Sequence, residues 1–296
     1  AGILVHLAAI EAWNKIGDGP PANIRLLIDG EEEIGNPTLC AFLQQHSTRV
    51  SADAVVIVDT MNWAVGEPAI TCSTRGTVSL TIRVRCLERP VHSGFWGGIV
   101  PDPLIGLCRA LGSLVDADGA VAVDGIAGGA ASVPWWRGPR PSVDEGALRR
   151  AAGMAPDVQF WGRPGTDFFE RLWHLPSVSV IALDAPEIVG SSNAIQSEAA
   201  ARVSLRIGPG QKPEWVHERV EAHVRAAIPW GLQVSVETGS QHAAWRSEGN
   251  GPAFDAAARA LGDAYGRPPH FVGMGASLPL VNWFTETLGE VPIILT

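Results

Sequence analysis

Paired cysteines, a basic face and a long apolar run are all missing from this 296-residue chain, and each absence removes a class of protein. Cys40, Cys72, Cys86 and Cys108 are too scattered for a paired metal-binding spacing, and a chain of this length can build a core without disulfide staples. Reduced thiols in a cytoplasmic compartment are therefore expected. Lysine and arginine total 22 against 31 acidic residues, a net charge of −9, which argues against nucleic acid because phosphate binding needs a basic face. No apolar run approaches the roughly 20 residues of a membrane span, so no membrane partner is expected. The opening "AGILVHLAAIEAW" has neither an initiator Met nor a basic leader. It reads as a helix already under way, with Ile3, Leu7 and Ile10 on one face, while "EVPIILT" ends the chain on a buried strand. Both ends look cut, and the chain is read as a fragment of a longer protein lacking both termini.

What is present suits a packed globular chain of one large domain or two: 46% hydrophobic residues against 18% charged. "NIRLLID" (23–29) reads as a short buried strand, "NPTLCAFLQQH" as a helix and "DAVVIVD" (53–59) as a second strand. That succession is the parallel α/β signature, in which ligands sit beyond the carboxyl ends of strands. The character changes near Thr74. "RGTVSLTIRVRC" alternates Val78, Leu80, Ile82, Val84 and Cys86 against Thr77, Ser79, Thr81, Arg83 and Arg85, the mark of a sheet packed on one face and wetter on the other. A helix with an early proline follows in "PDPLIGLCRALGSLV", and residues 116–170, rich in Gly, Pro and Trp, read as irregular excursions. Two strands at 176–183 and 200–208, a helix with Val216, Val220 and Val224 four apart, and a strand in "LQVSVET" complete a split βαβ order. The fold class expected is α/β: a parallel-sheet catalytic domain (1–73 and 241–296) with an inserted α+β, ferredoxin-like lid and dimerisation domain (74–240). No internal repeat or low-complexity tract interrupts it.

The stretch "LLIDGEEEIGNP" sets Glu31, Glu32 and Glu33 side by side after one predicted strand, and Asp59 closes the next. Four acids on one sheet rim suit a divalent cation, with one carboxylate as ligand and a neighbour left free to accept a proton. Spacing alone leaves a solvated acidic loop equally open, and Asp59 could simply cap the next element.

Six segments in order, "DGEEEIGNPTL", "VIVDT", "STRGTVSLTIRVRC", "VHSGFWGGIVPDPL", "VSLRIGPG" and "GASLPLV", resemble the co-catalytic dinuclear zinc peptidase family of cytosolic non-specific dipeptidase, carnosinase and glutamate carboxypeptidase, above all its dipeptidase branch. The resemblance runs over essentially the whole chain. It implies zinc-dependent hydrolysis of dipeptides or related amides bearing a free carboxylate, by a metal-activated water with Glu32 as general base. Glu33 and Asp59 are implied as zinc ligands and Glu31 as a bystander. His92 is implied as a lid residue that stabilises an oxyanion in the partner subunit's site. Arg206, Asn193, Ser277 and the backbone of Gly275 and Ala276 are implied to hold the substrate, Arg206 by its terminal carboxylate. A small peptide substrate, a homodimer through the lid, and two zinc ions per subunit in the complete protein follow, with Mn2+ or Co2+ as substitutes.

Two departures stand out. The family's upstream His-x-Asp, bridging Asp and final His fall outside this chain, so the chain by itself is expected to be inactive. In "GMGASLP", Gly273 and Met274 replace polar residues of an Arg-containing family version. Other readings stay open: an N-acyl amino acid deacylase or carboxypeptidase of the same fold, a non-catalytic dimerising or binding homologue, and, least, a two-acid glycosidase.

Overall fold

The computed structural model describes residues 2–17, 19–126, 137 and 140–296. From the amino end come α1 (Gly2–Ile16), a 3-10 turn (Glu32–Ile34), α2 (Leu39–Gln45), α3 (Ser47–Val50), β1 (Val55–Ile57) and β2 (Ala69–Thr74). The middle of the chain opens with β3 (Gly76–Arg85), β4 (Val91–His92), α4 (Ser93–Trp96), α5 (Pro103–Ser113), α6 (Glu145–Ala152) and α7 (Phe168–Trp173). It continues through β5 (Ser177–Asp184), β6 (Ala194–Ile195), β7 (Glu198–Ile207), α8 (Pro213–Ala227) and β8 (Gln233–His242). Last come β9 (Trp245–Arg246), α9 (Pro252–Tyr265), β10 (His270–Met274), α10 (Pro279–Leu288) and β11 (Ile293–Leu295).

The period-two pattern of "GTVSLTIRVR" becomes the centre of an antiparallel sheet ordered β5-β7-β3-β8. Val78, Leu80, Ile82 and Val84 are wholly buried on one face with Val203, Leu205 and Ile207. Helices α5 and α8 cover that face, α8 through Val216, Val220 and Val224 and α5 through Leu107 and Ala110. Helix α5 starts where the sequence places it, because the Asp102 carboxylate accepts from the Leu104 and Ile105 amides ahead of Pro103. At about 1.5–3 kcal/mol for each branched side chain buried, this face dominates the unit's stability. On the opposite face Thr77 and Ser79 are buried too, so only its far end is wet.

The second sheet runs β1-β11-β2-β10, with β9 beside β2. Its β1/β11 and β2/β10 ladders are parallel, but β11 and β2 pair antiparallel, so the sheet is mixed rather than wholly parallel. The chain crosses between the sheets twice, from β2 to β3 and from β8 to β9. Gly76, at the first of them, packs tightly on the second: a Cβ there would lie 2.5 Å from the His242 carbonyl oxygen and 2.7 Å from the Ala244 nitrogen.

Two expectations need correction. "NIRLLID" forms no strand, and Ile24, Leu26, Leu27 and Ile28 are exposed. Apolar content predicts burial, but a strand also needs a ladder partner for its amides, and among the described residues β1 pairs with β11 alone. The stretch 116–170 is not all irregular: α6 lies in it and α7 begins in it, capped by the Asp144 and Asp167 carboxylates. The part of that expectation falling on 127–136 and 138–139 lies outside the described residues. No helix among the described residues is long and apolar enough to cross a membrane.

Candidate functional site

The three consecutive glutamates diverge because they stand on a 3-10 turn, where successive side chains are about 120° apart. Glu31 turns back: its Oε2 accepts from Thr38 Oγ1 at 2.5 Å and from the Thr38 amide at 3.2 Å, tying the loop to the start of α2. Gly35 and Asn36 close the turn with left-handed backbones (φ 86° and 50°), and the Asn36 amide group donates to Asp29. Glu31 is thus occupied with structure. Among the described residues, Glu32, Glu33 and Asp59 make no side-chain hydrogen bond and no ion pair.

Their charges nevertheless meet. Burial raises the Glu32 carboxyl above its ordinary range, and the charges of Asp59, Glu33 and Asp29 raise it further. Burial and then Glu33 do the same to Asp59. A cluster of acids that disfavours its own ionisation and holds no cation of the protein suits a bound divalent cation in charge and in donor type. The donor count is smaller than a full site: among the described residues, no group of three or more His, Cys, Asp or Glu is placed to hold a metal ion.

His92 and Asn193 come together elsewhere, on the two-stranded ribbon of β4 and β6. The Ser93 amide and hydroxyl both donate to the Asn193 carbonyl, at 2.8 and 3.1 Å. Exposed His92 caps α4, its Nδ1 accepting from the Gly94 amide at 3.0 Å. In the neutral ring this fixes the proton on Nε2, which is left as an outward donor.

The remaining candidates gather where the two sheets join. Arg206 is half-buried on β7, with Thr77 and Ser177 opposite it on the flanking strands, and it donates to Thr77 Oγ1 at 2.6 Å. The loop after β10 meets it through a residue that sequence reasoning quoted but did not single out. Arg75, 8% exposed, donates from Nε to the Gly275 carbonyl at 2.9 Å and from Nη1 to Ser177 Oγ at 3.1 Å. Its amide is shared between the carbonyls of Met274 and Ala276. Ser277 Oγ, further along the loop, is buried without a hydrogen-bond partner. Because β2 and β10 run against β1, this loop leaves the sheet at the end away from Asp59, and no hydrogen bond or ion pair among the described residues joins the three groups.

Comparison with known proteins gives this geometry a setting. A model described as "Peptidase dimerisation domain" matches residues 73–232, more than half of the chain. The Cysteinylglycine-S-conjugate dipeptidase of Corynebacterium striatum is 31% identical over 94% of this chain and 60% of its own length. The Cys-Gly metallodipeptidase DUG1 of Saccharomyces cerevisiae is 26% identical over 99% of this chain and 62% of its own. The crystal structure of human carnosine dipeptidase 1 shares the fold, with a TM-score of 0.76 at 24% identity, covering 90% of this chain and 57% of that one. The chain therefore spans about 60% of the length of the curated relatives it matches. It belongs to the M20 peptidase family and carries that family's dimerisation domain.

Proposed function

We propose that this chain is part of a metal-dependent dipeptidase that cleaves a dipeptide or related amide with a free carboxylate. The observation carrying this reading is the convergence of Glu32, Glu33 and Asp59 with no protein cation to neutralise them. Glu33 and Asp59 would hold a divalent cation, zinc by the family resemblance. When bound, such an ion polarises a carbonyl and acidifies water. Glu32, whose affinity for a proton is raised by burial and by its acidic neighbours, accepts the proton of the attacking water and passes it to the leaving amine. His92 Nε2–H, supplied by the partner subunit, donates to the developing oxyanion. Arg206, Asn193 and the 275–277 loop hold the substrate, Arg206 and the loop by its carboxylate. These groups lie on separate elements, and the 275–277 loop leaves the sheet at the end away from Asp59, so lid closure within one subunit does not suffice and dimerisation has to complete the site. The four unpaired cysteines support a reducing, cytoplasmic compartment.

The test is a longer product of the gene that contains this chain. Cysteinylglycine and β-alanylhistidine should be cleaved and their C-terminal amides should not; chelation should stop turnover and zinc or manganese restore it. A product that binds no metal and cleaves neither peptide would support the second reading, a non-catalytic dimerising homologue, which the incomplete donor set favours.

The dimer has a physical candidate for its seam. Strand β5 pairs only with β7 among the described residues, and on it Val180, Ile181 and Leu183 are half-exposed, with no lysine or proline to guard the edge. Ile181→Glu would set like charges across a twofold seam. The variant is expected to weaken self-association at least tenfold in sedimentation equilibrium while its melting temperature as a monomer stays within about 2 °C of the parent. Unchanged association would move the seam off this edge.

A further inference from the structure

We propose that Arg75 is a positioning residue for an anionic ligand: it locks the Gly275–Ala276 loop onto β5 and stands beside Arg206 as a second guanidinium with no acid of its own. This rests on the reading that Arg206 and that loop receive a substrate carboxylate, and adds to it a residue and a reason for selectivity.

The geometry is that of a strut between two segments. One guanidinium reaches the Gly275 carbonyl in the loop after β10 and, at the α7–β5 junction, the Leu175 carbonyl at 3.3 Å and Ser177 Oγ. Only a planar fork reaches so many acceptors at once; a lysine ammonium is a single point. The approach is close on the loop side as well. A Cβ on Gly275 would sit 3.1 Å from the Leu172 carbonyl oxygen and 3.2 Å from Arg75 Nη2. The loop, the end of α7 and Arg75 are therefore in one packed arrangement.

The electrostatics ask for an anion. Arg75 is buried, which lowers its pKa to about 10, and the neighbouring charge of Arg206 contributes. Burial lowers Arg206 as well. Among the described residues neither forms an ion pair with an aspartate or glutamate. Two partly desolvated like charges destabilise the fold unless a counter-charge arrives, and the unpartnered Ser277 hydroxyl on the same loop is a further donor for it. A carboxylate fits this set. A neutral end group leaves the pair uncompensated.

The experiment uses the 296-residue chain and a direct binding readout, so it does not depend on turnover. N-acetylglycine mimics a peptide carboxyl end, and N-acetylglycinamide is its neutral control. Calorimetry should show the parent binding the acid and not the amide, with affinity about tenfold weaker in Arg75→Met and in Arg206→Met. Arg75→Lys, which keeps a charge and guards against loss of fold in the methionine variant, should weaken binding about threefold or more. In glycine-labelled protein the Gly275 amide resonance should move in both Arg75 variants and stay in place in Arg206→Met, which separates positioning from charge. Parent-like affinity in the Arg75 variants, or equal binding of acid and amide, overturns the inference. A complete protein that binds the acid in this way yet cleaves no peptide overturns only the peptidase reading.

Discussion

Glu32→Gln is expected to lower turnover of the complete protein by about 10²–10⁴-fold while leaving metal content and substrate affinity near the parent values. The amide keeps the shape of the side chain but cannot accept the proton that the reaction releases. Glu33 and Asp59, the proposed ligands, are untouched. The same substitution should stabilise the metal-free chain at pH 7, because it removes one of the charges that repel one another in the cluster. The gain is small, about 1–2 °C in melting temperature, since the group is only partly buried and like-charge contacts are worth a few tenths of a kcal/mol. The pH dependence has a definite sign. Glu32 and Asp59 hold protons more tightly folded than unfolded, so their contribution is full below the ordinary carboxylate range and is lost as pH rises through their raised values. The parent should therefore gain stability relative to Glu32→Gln as pH falls from 7 toward 4. Calorimetric melts of both proteins across that range test the electrostatics, and steady-state kinetics test the chemistry. Turnover within a few-fold of the parent would remove Glu32 as the base.

The parts of this fold that could be read from sequence are those fixed by local period. Val78 to Val84 and Val203 to Ile207 alternate because one face of each strand is buried, and Val216, Val220 and Val224 recur because one face of a helix is. "NIRLLID" misled because its pattern records apolar side chains, and the ladder a strand requires is a property of its neighbours. The candidate site divides the same way. The acid triplet was visible as a cluster, but that Glu31 is taken up by Thr38 while Glu32 and Glu33 are not follows from the turn geometry. Arg75 carried no periodic signal; its partners at Ser177 and Gly275 are far away in sequence, and only the crossing of the two sheets brings them together. Gly273 was noticeable as a departure from the family pattern, yet its cause is an aromatic side chain in a stretch without readable period.

That cause predicts a coupling between the two positions. A Cβ at Gly273 would lie 2.6 Å from Trp173 Cγ and 2.7 Å from Ser73 Oγ. Trp173 cannot step aside easily: it is 2% exposed, packed on Ala69 and Val272, with the Phe169 ring at 4.6 Å and the Trp63 ring at 6.4 Å. The indole occupies the space that a side chain at position 273 would need, and the glycine is the complement of the tryptophan. Gly273→Ala should therefore destabilise by about 1–3 kcal/mol through overpacking. Trp173→Ala should cost about 3–5 kcal/mol through the cavity it leaves. In the Trp173→Ala background the alanine at 273 is freed of the indole but still meets the Cβ of residue 173 at 2.8 Å and Ser73 Oγ at 2.7 Å, so its penalty should shrink by about 1 kcal/mol and keep its sign. Urea unfolding of the four proteins measures this coupling directly. Because α7 ends against the Gly275 loop, Trp173→Ala should also weaken N-acetylglycine binding, and Gly273→Ala in that background should not restore it. Additive penalties in the double variant would mean that the strand yields instead of the indole, and that glycine at 273 answers to something other than Trp173.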